Sequence, residues 1–373
     1  MKKQTMKLLA VLLAAAMMLS LAACSTSSEG SSGSTGSSAD SSSSTPSSQT
    51  ADPGKTYEWI LGSTYADPVS SPEYNGYGLG VQYFAEELDK RTDGAMKITY
   101  HMNGVLGGDV ELFNMVRTNE IQLYHGTPFT TVDGRFGISK MPMIFHDFEQ
   151  AKELLCNPDG ELYQMVSDAL EEQGLVQIFQ DAGTFRSVLS NKHQVVSISD
   201  LSDLNFRSYE DAVASAFWSG ITNISIMPFS EVYTALQTRT VDAMELADIQ
   251  VIALKFYEVI DYFTDVEWQW QGVNLSANGE AWNELPADMQ QLMLDIGLET
   301  VDYEFEIQEA DRKTAYDAMA EKGVTVHQLT DEERQEWTDY AQTVLPQLRD
   351  VIGADYYDQA MDIIAASNEA HGY

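Results

Sequence analysis

The chain has 373 residues, with 57 acidic side chains against 21 basic ones and a formal net charge of −36 at pH 7. Phosphate backbones would repel a chain this acidic, so nucleic-acid binding is disfavoured as a function. Its 44% hydrophobic and 10% aromatic content is too high for a disordered polyanion. Length and composition therefore predict a folded protein of about two domains.

The first 23 residues have the pattern of a secretory signal peptide. Three lysines precede an apolar run over 8–23, which is shorter than the about 20 residues that a membrane-spanning helix needs. The run ends in Leu21-Ala22-Ala23-Cys24, which resembles a bacterial lipobox and predicts that the Cys24 thiol receives a diacylglycerol. The alternative is an ordinary cleavage site that has a cysteine by chance.

Residues 24–54 are predicted to be the lipidated cysteine followed by a flexible tether. The stretch is rich in Ser, Gly and Thr and has almost nothing apolar to bury. Cleavage would also remove three lysines and lower the formal charge from −36 to −39. The sequence therefore predicts an extracytoplasmic protein that the lipid anchors to the cell membrane.

From residue 57 onward, strand-like and helix-like patterns alternate. Apolar residues at helical spacing predict helices, and strict alternation predicts strands. The predicted elements are a strand at 57–61, a helix at 79–91, a strand at 96–101, a helix at 109–118, helices within 148–173, a strand at 175–179, helices at 230–237 and 251–262, and mainly helix from 285 onward. This order predicts an α/β fold with parallel sheets covered on both faces.

The sequence contains no motif typical of an enzyme. It has no Gly-rich nucleotide fingerprint, no phosphate loop and no serine nucleophile elbow, and segment 104–108 is interpreted as a strand-to-helix turn. Its six histidines lack metal-ligand spacing. We therefore expect no catalytic residue, no metal and no cofactor.

Two arginines are the strongest candidates for binding residues. Arg186 and Arg207 both follow loop-like sequence rich in Asp and Ser. An arginine at the end of a short strand can project into a cleft and hold a carboxylate through two parallel hydrogen bonds. The alternative is a surface ion pair with Asp203 or Glu210.

Several motifs occur in the order typical of one family of binding proteins. The main ones are DLSDLNFR at 200–207, MPFSEVYTALQT at 227–238, VDAME at 241–245 and KFYEV at 255–259, and MPMIF at 141–145 and WNELP at 282–286 agree with them. Together they resemble the substrate-binding proteins of TRAP (tripartite ATP-independent periplasmic) transporters, of the dicarboxylate-binding type. The resemblance covers about residues 57–345.

The resemblance implies a two-lobed fold like that of periplasmic binding proteins, with a cleft between the lobes and a long bracing helix. Each lobe is expected to be discontinuous. Lobe I would comprise 55–183 and 272–325, and lobe II would comprise 184–271 and 326–373. The C-terminal helices, assigned to lobe II, are expected to pack back across both lobes.

The resemblance also implies roles for individual residues. Arg207 matches the arginine that pairs with the ligand carboxylate, and Arg186 matches a second arginine present in part of the family. Phe229 matches an aromatic side chain that packs on the ligand. Asp109 and His125 fall near cleft positions that tune specificity.

Departures from the family pattern affect the predicted ligand. The family usually has Val-Asp-Gly-Gln-Glu-Asn-Pro where this chain has VDAMELA at 241–247. Glu245 and Leu246 are counted with the site, but Leu246 replaces an Asn that often binds the carboxylate. Trp268 and Trp270 could form an aromatic wall, or pack in the core near Tyr262. We therefore expect a monocarboxylate with an apolar or aromatic portion rather than a compact dicarboxylate such as succinate.

The function that the resemblance implies is capture of a small organic acid by hinge closure. The protein, expected to be a monomer, would then deliver the acid to the small and large membrane subunits of a TRAP permease. The alternatives are a ligand-sensing receptor for a signalling system and a secreted enzyme that acts on an organic acid.

Overall fold

The structure is a computed structural model that describes residues 55–373. The predicted signal peptide (1–23), Cys24 and the predicted tether (24–54) lie outside the described residues. Within 55–373, no helix combines the length and apolar character required to cross a membrane.

Strands and helices alternate along the first three quarters of this body. The strands are β1 (Tyr57–Ser63), β2 (Met96–His101), β3 (Leu123–Gly126), β4 (Leu175–Gln180), β5 (Thr184–Ser190), β6 (Asn205–Ser208), β7 (Asn223–Ile226), β8 (Ala243–Ala247), β9 (Tyr262–Gln271), β10 (Asn274–Asn278) and β11 (Thr325–Gln328). The α-helices are α1 (Gly76–Arg91), α2 (Asp109–Arg117), α3 (Phe148–Leu155), α4 (Glu161–Glu172), α5 (Ala212–Trp218), α6 (Phe229–Gln237), α7 (Asp248–Ala253), α8 (Gly279–Asn283), α9 (Ala287–Glu321), α10 (Asp331–Ile352) and α11 (Ala354–His371).

The strands form two sheets, and each sheet is the centre of one lobe. Lobe I contains the five-stranded sheet β2-β1-β3-β10-β4, and lobe II contains the six-stranded sheet β11-β9-β5-β8-β6-β7. The predicted boundary between 325 and 326 is wrong, because it falls inside β11, which pairs with β9 in lobe II.

The expectation of purely parallel sheets is wrong. In lobe I, β10 runs antiparallel to β3 and β4. In lobe II, β5 runs antiparallel to β8 and β9. The physical reason is that the chain passes between the sheets from β4 to β5 and again from β9 to β10. β5 enters lobe II beside β9, which leaves that lobe, and β10 enters lobe I beside β4, which leaves that one. In each pair the entering and the leaving strand run in opposite directions.

Most predicted elements agree in type with the observed ones, and one does not. The helix expected at 251–262 ends early, because α7 stops at Ala253 and Lys255 adopts a left-handed backbone conformation with φ of 60°. A short 3₁₀ helix follows, and Tyr262 already begins β9. The apolar residues of this stretch therefore belong to the end of α7 and to a separate 3₁₀ helix at Phe256–Glu258, not to one continuous helix.

The two crossing segments run side by side between the lobes. The backbone N–H of Asp181 donates to the carbonyl of Val273 at 2.8 Å, which ties the first crossing to the second. Gly183 has φ of +64°, and a Cβ there would lie 2.3 Å from the indole of Trp270. Only glycine fits this crossing without displacing Trp270.

The 35-residue helix α9 is the predicted bracing helix. It packs against α1 and β4 in lobe I and against α7 and β11 in lobe II. The α/β fold with two lobes, a cleft and a bracing helix is therefore confirmed. The C-terminal helices contact both lobes, as expected, because α10 packs against α5 and α11 packs against α4.

A buried polar cluster joins α9 to the first crossing. Glu304 of α9 is fully buried and accepts a 3.4 Å hydrogen bond from the N–H of Ala182. Helix α1 approaches it through Gly80, where a Cβ would lie 1.7 Å from Glu304 Oε1. Burial, together with the nearby charge of Asp181, raises the pKa of Glu304 well above its ordinary value.

We predict that Glu304→Gln changes the pH dependence of stability. Because the folded pKa of Glu304 is raised, the folded state retains a proton that the unfolded state loses above about pH 4.5. This contribution to the free energy of unfolding is therefore fully present at low pH, and it is lost as the pH rises through the folded pKa of Glu304. Glutamine mimics the protonated acid, so the variant should gain stability relative to wild type between pH 5 and pH 8.

Urea midpoints measured across this pH range test the prediction. The control is Glu306→Gln, because Glu306 is exposed on the same helix. The control should show no comparable gain. If the Glu304→Gln and wild-type midpoints stay parallel from pH 5 to pH 8, Glu304 does not bind the extra proton in the folded state.

Candidate functional site

A cavity of about 370 Å³ lies between the two lobes. This volume is within the range of small-molecule sites. Lobe I contributes residues that follow β1 and begin α2, and lobe II contributes the ends of β6, β8 and β9 and the start of α6. The residues that line the cavity include Thr64, Tyr65, Asp109, Glu111, Lys140, Arg186, Arg207, Tyr209, Glu210, Ile226, Met227, Phe229, Leu246, Gln250, Gln269, Trp270 and Gln271.

Arg207 is the central cation of this cavity. It lies on β6 and is only 2% exposed. Its Nε and Nη2 donate to the carbonyl of Met227 at 3.3 and 3.0 Å. Within residues 55–373, no carboxylate oxygen lies within 4 Å of its guanidinium. Burial lowers the pKa of Arg207 to about 10, so the group remains charged at neutral pH.

Arg186, the second predicted arginine, lines the cavity but is already paired. Its Nε contacts the Glu245 carboxylate and its Nη1 donates to Gln271 Oε1 at 2.9 Å. Burial acts to lower the pKa of Arg186, but the Glu245 charge raises it above its ordinary value. Glu245 itself is fully buried and lies outside the cavity lining. Its prediction as a ligand-binding residue is corrected, since it faces Arg186 instead.

Tyr209 stands between the two arginines. Its ring centroid lies 5.4 Å from the Arg186 guanidinium carbon and 5.8 Å from that of Arg207. Its hydroxyl donates to Gln269 Oε1 at 3.1 Å. Aromatic faces attract guanidinium groups, so Tyr209 helps to hold both side chains in place. Sequence reasoning missed this residue, although it lies two positions beyond Arg207.

Apolar side chains also lie close to the Arg207 head. The Phe229 ring centroid is 5.7 Å from the guanidinium carbon, and Leu246 lines the same cavity. Ile226 is 51% exposed and also contributes to the lining. These side chains form an apolar wall next to the Arg207 guanidinium.

Asp109 supplies an acidic group from lobe I. It is the first residue of α2, and its Oδ1 accepts a 2.6 Å hydrogen bond from the Thr64 hydroxyl. Burial raises the pKa of Asp109, while the Thr64 hydrogen bond and the Arg207 charge lower it. Asp109 and Arg207 line the cavity from opposite lobes.

Three glutamines connect the site to the crossings, and sequence reasoning missed all of them. Gln271 donates to the Tyr65 hydroxyl at 3.1 Å and to Gln250 Oε1 at 3.2 Å. Gln269 donates to the carbonyl of Lys140 at 2.7 Å. For Gln269 and Gln271 the available signal was their alternation with Trp268 and Trp270, although strict alternation does not hold in this strand.

His125 does not line the cavity, so its prediction as a ligand-binding residue is corrected. Its imidazole is fully buried, with Ser63 Oγ at 3.1 Å from Nδ1 and Asp181 Oδ2 at 2.7 Å from Nε2. The Tyr65 ring lies against it at 5.4 Å. His125 therefore supports the first crossing and Tyr65 rather than the cavity itself.

The two predicted tryptophans have different environments. Trp268 is fully buried in the lobe II core, with ring centroids 4.8 Å from Phe217 and 4.9 Å from Trp218. Its prediction as a ligand-binding residue is therefore corrected. Trp270 lines the cavity and packs against Phe185 at 5.2 Å.

The remaining predicted residues share one cavity. They are Arg207, Arg186, Phe229, Asp109, Leu246 and Trp270. Their contact with a ligand stays a prediction. The arrangement can fix one carboxylate at Arg207 while an apolar group lies against the neighbouring wall.

Two α/β lobes with a ligand-sized cavity at their crossings define a binding protein that encloses a small solute. Residues 68–350 match the family model "Bacterial extracellular solute-binding protein, family 7". The chain therefore belongs to this family, and it is a TRAP-type substrate-binding protein, as the sequence motifs predicted.

Named relatives cover most of the chain. It is 28% identical over 286 residues to the C4-dicarboxylate-binding periplasmic protein DctP of Rhodobacter capsulatus. The alignment spans 74% of this chain and 84% of the relative. It is 26% identical over 294 residues to the 2,3-diketo-L-gulonate-binding periplasmic protein YiaO of Escherichia coli K12. This alignment spans 78% of this chain and 87% of the relative. These family members are extracytoplasmic solute receptors.

Solved structures share the fold. The sugar acid binding protein DctPAm of Advenella mimigardefordensis, in complex with galactonate, aligns with a TM-score of 0.78 and 23% identity over 84% of this chain and 99% of that one. A TRAP periplasmic solute binding protein of Sulfurospirillum deleyianum with bound succinate aligns with a TM-score of 0.75 and 23% identity over 83% and 99%.

We predict that Trp268 and Trp270 differ in function. Trp268→Ala should lower the free energy of unfolding by about 3–5 kcal/mol, because it removes a buried indole from an aromatic core. The folded variant should retain ligand affinity within about twofold. Trp270→Ala should weaken both stability and binding. Denaturant titration and calorimetry, with Trp268→Phe as the conservative control, check this, and a selective loss of affinity in Trp268→Ala would contradict it.

Proposed function

We propose that this TRAP-type receptor binds a small monocarboxylate with an apolar or aromatic portion. In this proposal the carboxylate contacts Arg207 and the apolar portion contacts Phe229 and Leu246. The single observation that carries it is the Arg207 guanidinium, which is buried and charged and has no carboxylate partner within residues 55–373.

The physical argument is the cost of an unpaired buried charge. Taking a cation out of water costs several kcal/mol unless an opposite charge and good hydrogen bonds compensate. A ligand carboxylate can accept two parallel hydrogen bonds from a guanidinium. Binding of a carboxylate should therefore offset the desolvation cost of the Arg207 guanidinium. We expect this contact to be the main source of affinity.

The preference for one carboxylate follows from the state of Arg186. Glu245 already neutralises this second arginine, so a second ligand carboxylate would find no free cation of equal strength. Leu246 also lines the cavity with an apolar surface. A hydrogen-bonding side chain at this position would favour a more polar ligand. The relatives named for C4-dicarboxylate and diketogulonate, and the structures with galactonate and succinate, support an acid ligand in general.

Hinge closure would convert binding into a transport signal. The ligand bridges residues of both lobes, and the closed state is stabilised by the difference in ligand affinity between open and closed forms. The closed receptor would then dock on the small and large membrane subunits of a TRAP permease. A lipid on Cys24 would keep it near them at the outer face of the membrane.

We predict that Arg207→Ala weakens binding of the cognate carboxylate by about 2–5 kcal/mol. Arg207→Lys should recover only part of the affinity, because an ammonium cannot reproduce the planar fork. The ligand is first found by a thermal-shift screen of carboxylates, since a ligand that binds only the folded state raises its Tm. Calorimetry then gives the affinities.

The matched control is Arg117→Ala, because Arg117 is exposed and lies outside the cavity lining. It should bind with wild-type affinity. Wild-type affinity in Arg207→Ala would show that the carboxylate does not contact Arg207, and the proposed site would then be wrong.

We also predict that Cys24→Ser abolishes lipidation. The variant should appear in the medium or as unprocessed precursor, because serine has no thiol to accept the diacylglycerol. Mass spectrometry of the wild-type mature chain should find a lipid-modified N-terminal Cys24. A free N-terminus at another residue would contradict the proposed anchor.

A further inference from the structure

Most cations of the cavity are already neutralised by carboxylates of the chain. Lys140 Nζ lies 2.7 Å from Asp211 Oδ2, and both side chains are buried. Arg186 pairs with Glu245. Arg207 is the lining cation that has no such partner within residues 55–373. The cavity therefore offers one free positive charge.

Acidic side chains outnumber that charge. Asp109, Glu111 and Glu210 all belong to the lining. Glu111 is held by the N–H of Gly108 at 2.6 Å, where it caps α2, and Glu210 is exposed. Asp109 and Arg207 both line the cavity, and they lie on opposite lobes. A ligand that bridges the lobes therefore meets a cation at one end and an anion at the other.

A simple monoanion would satisfy only one of these two ends. Its carboxylate would pair with Arg207, but its remaining atoms would leave the partly desolvated Asp109 without a compensating charge. An ammonium group would supply that charge and donate hydrogen bonds to Asp109. A net-neutral ligand would also avoid long-range repulsion by a chain with a formal charge of −36.

We propose that the solute is a zwitterion, a small apolar acid whose carboxylate pairs with Arg207 and whose ammonium group pairs with Asp109. This inference rests on the proposed carboxylate contact at Arg207 and adds the charge at the other end of the ligand. It assigns Asp109 as the residue that selects an amino acid over the corresponding acid without the amino group. A hydroxyl could donate one hydrogen bond to Asp109 but would not neutralise it.

Matched sets of ligands test the inference. One set is leucine, 2-hydroxy-4-methylpentanoate and 4-methylpentanoate, and the other is phenylalanine, 3-phenyllactate and 3-phenylpropanoate. Calorimetry should show that the amino acid of at least one set binds about tenfold or more tighter than its partner without the amino group, with the hydroxy acid between them. Asp109→Asn should remove this preference by weakening the amino acid, and it should not weaken the amino-free acid, because it takes an uncompensated negative charge out of the cavity.

The control is Glu58→Gln, which also removes one negative charge from lobe I. Glu58 is exposed near the start of β1, whereas Thr64 and the cavity lie beyond the end of that strand. The control should keep the wild-type preference for the ammonium group. If it loses that preference as Asp109→Asn does, the effect comes from overall charge and not from a contact at Asp109.

Three results would overturn the inference. The amino-free or hydroxy acids could bind as tightly as the amino acids, neither amino acid could bind, or Asp109→Asn could leave the preference unchanged. Failure of the proposed function looks different, because then no acid would depend on Arg207. Binding of amino-free acids that requires Arg207 but shows no preference for ammonium would leave the proposed function standing and refute the zwitterion.

Discussion

The site depends on one buried charge that the chain does not neutralise by itself. Arg207 is almost fully buried and donates hydrogen bonds to a single backbone carbonyl, that of Met227. Its neighbour Arg186 has a carboxylate partner, and the difference between the two arginines defines where an anion can bind. The aromatic rings of Tyr209 and Phe229 lie within 6 Å of the Arg207 guanidinium and help to hold its position.

The crossings between the lobes place that charge opposite groups of lobe I. Two strand crossings and the helix α9 connect the lobes, and several buried polar side chains lie at their junction beside the packed rings of Trp270 and Phe185. His125, Asp181 and Glu304 lie buried at the first crossing, and Gln271 ties the second crossing to Tyr65. Buried polar groups need their partners in specific directions, so this junction favours a defined lobe arrangement over a loose one.

The fold class and the role of Arg207 could be predicted from the sequence, because both depend on local patterns or on motifs shared by the family. Strand 96–101 was predicted with its observed bounds, and Arg207 was identified from a motif at the end of a strand. The orientation of side chains was harder to predict. Trp268 and Trp270 have the same parity along β9, yet one is in the core and the other lines the cavity. The pairing of β5 with β9 shifts register in this region, and Glu267 has a left-handed φ of 52°, so simple alternation fails there.

A crystal structure of the protein with its tightest-binding ligand tests the central claim most directly. We expect a closed cleft in which both oxygens of a ligand carboxylate lie about 2.7–2.9 Å from guanidinium nitrogens of Arg207. Arg186 should remain paired with Glu245 in that complex. A ligand whose carboxylate contacts Arg186 instead, with Arg207 still bonded only to the chain, would contradict the account.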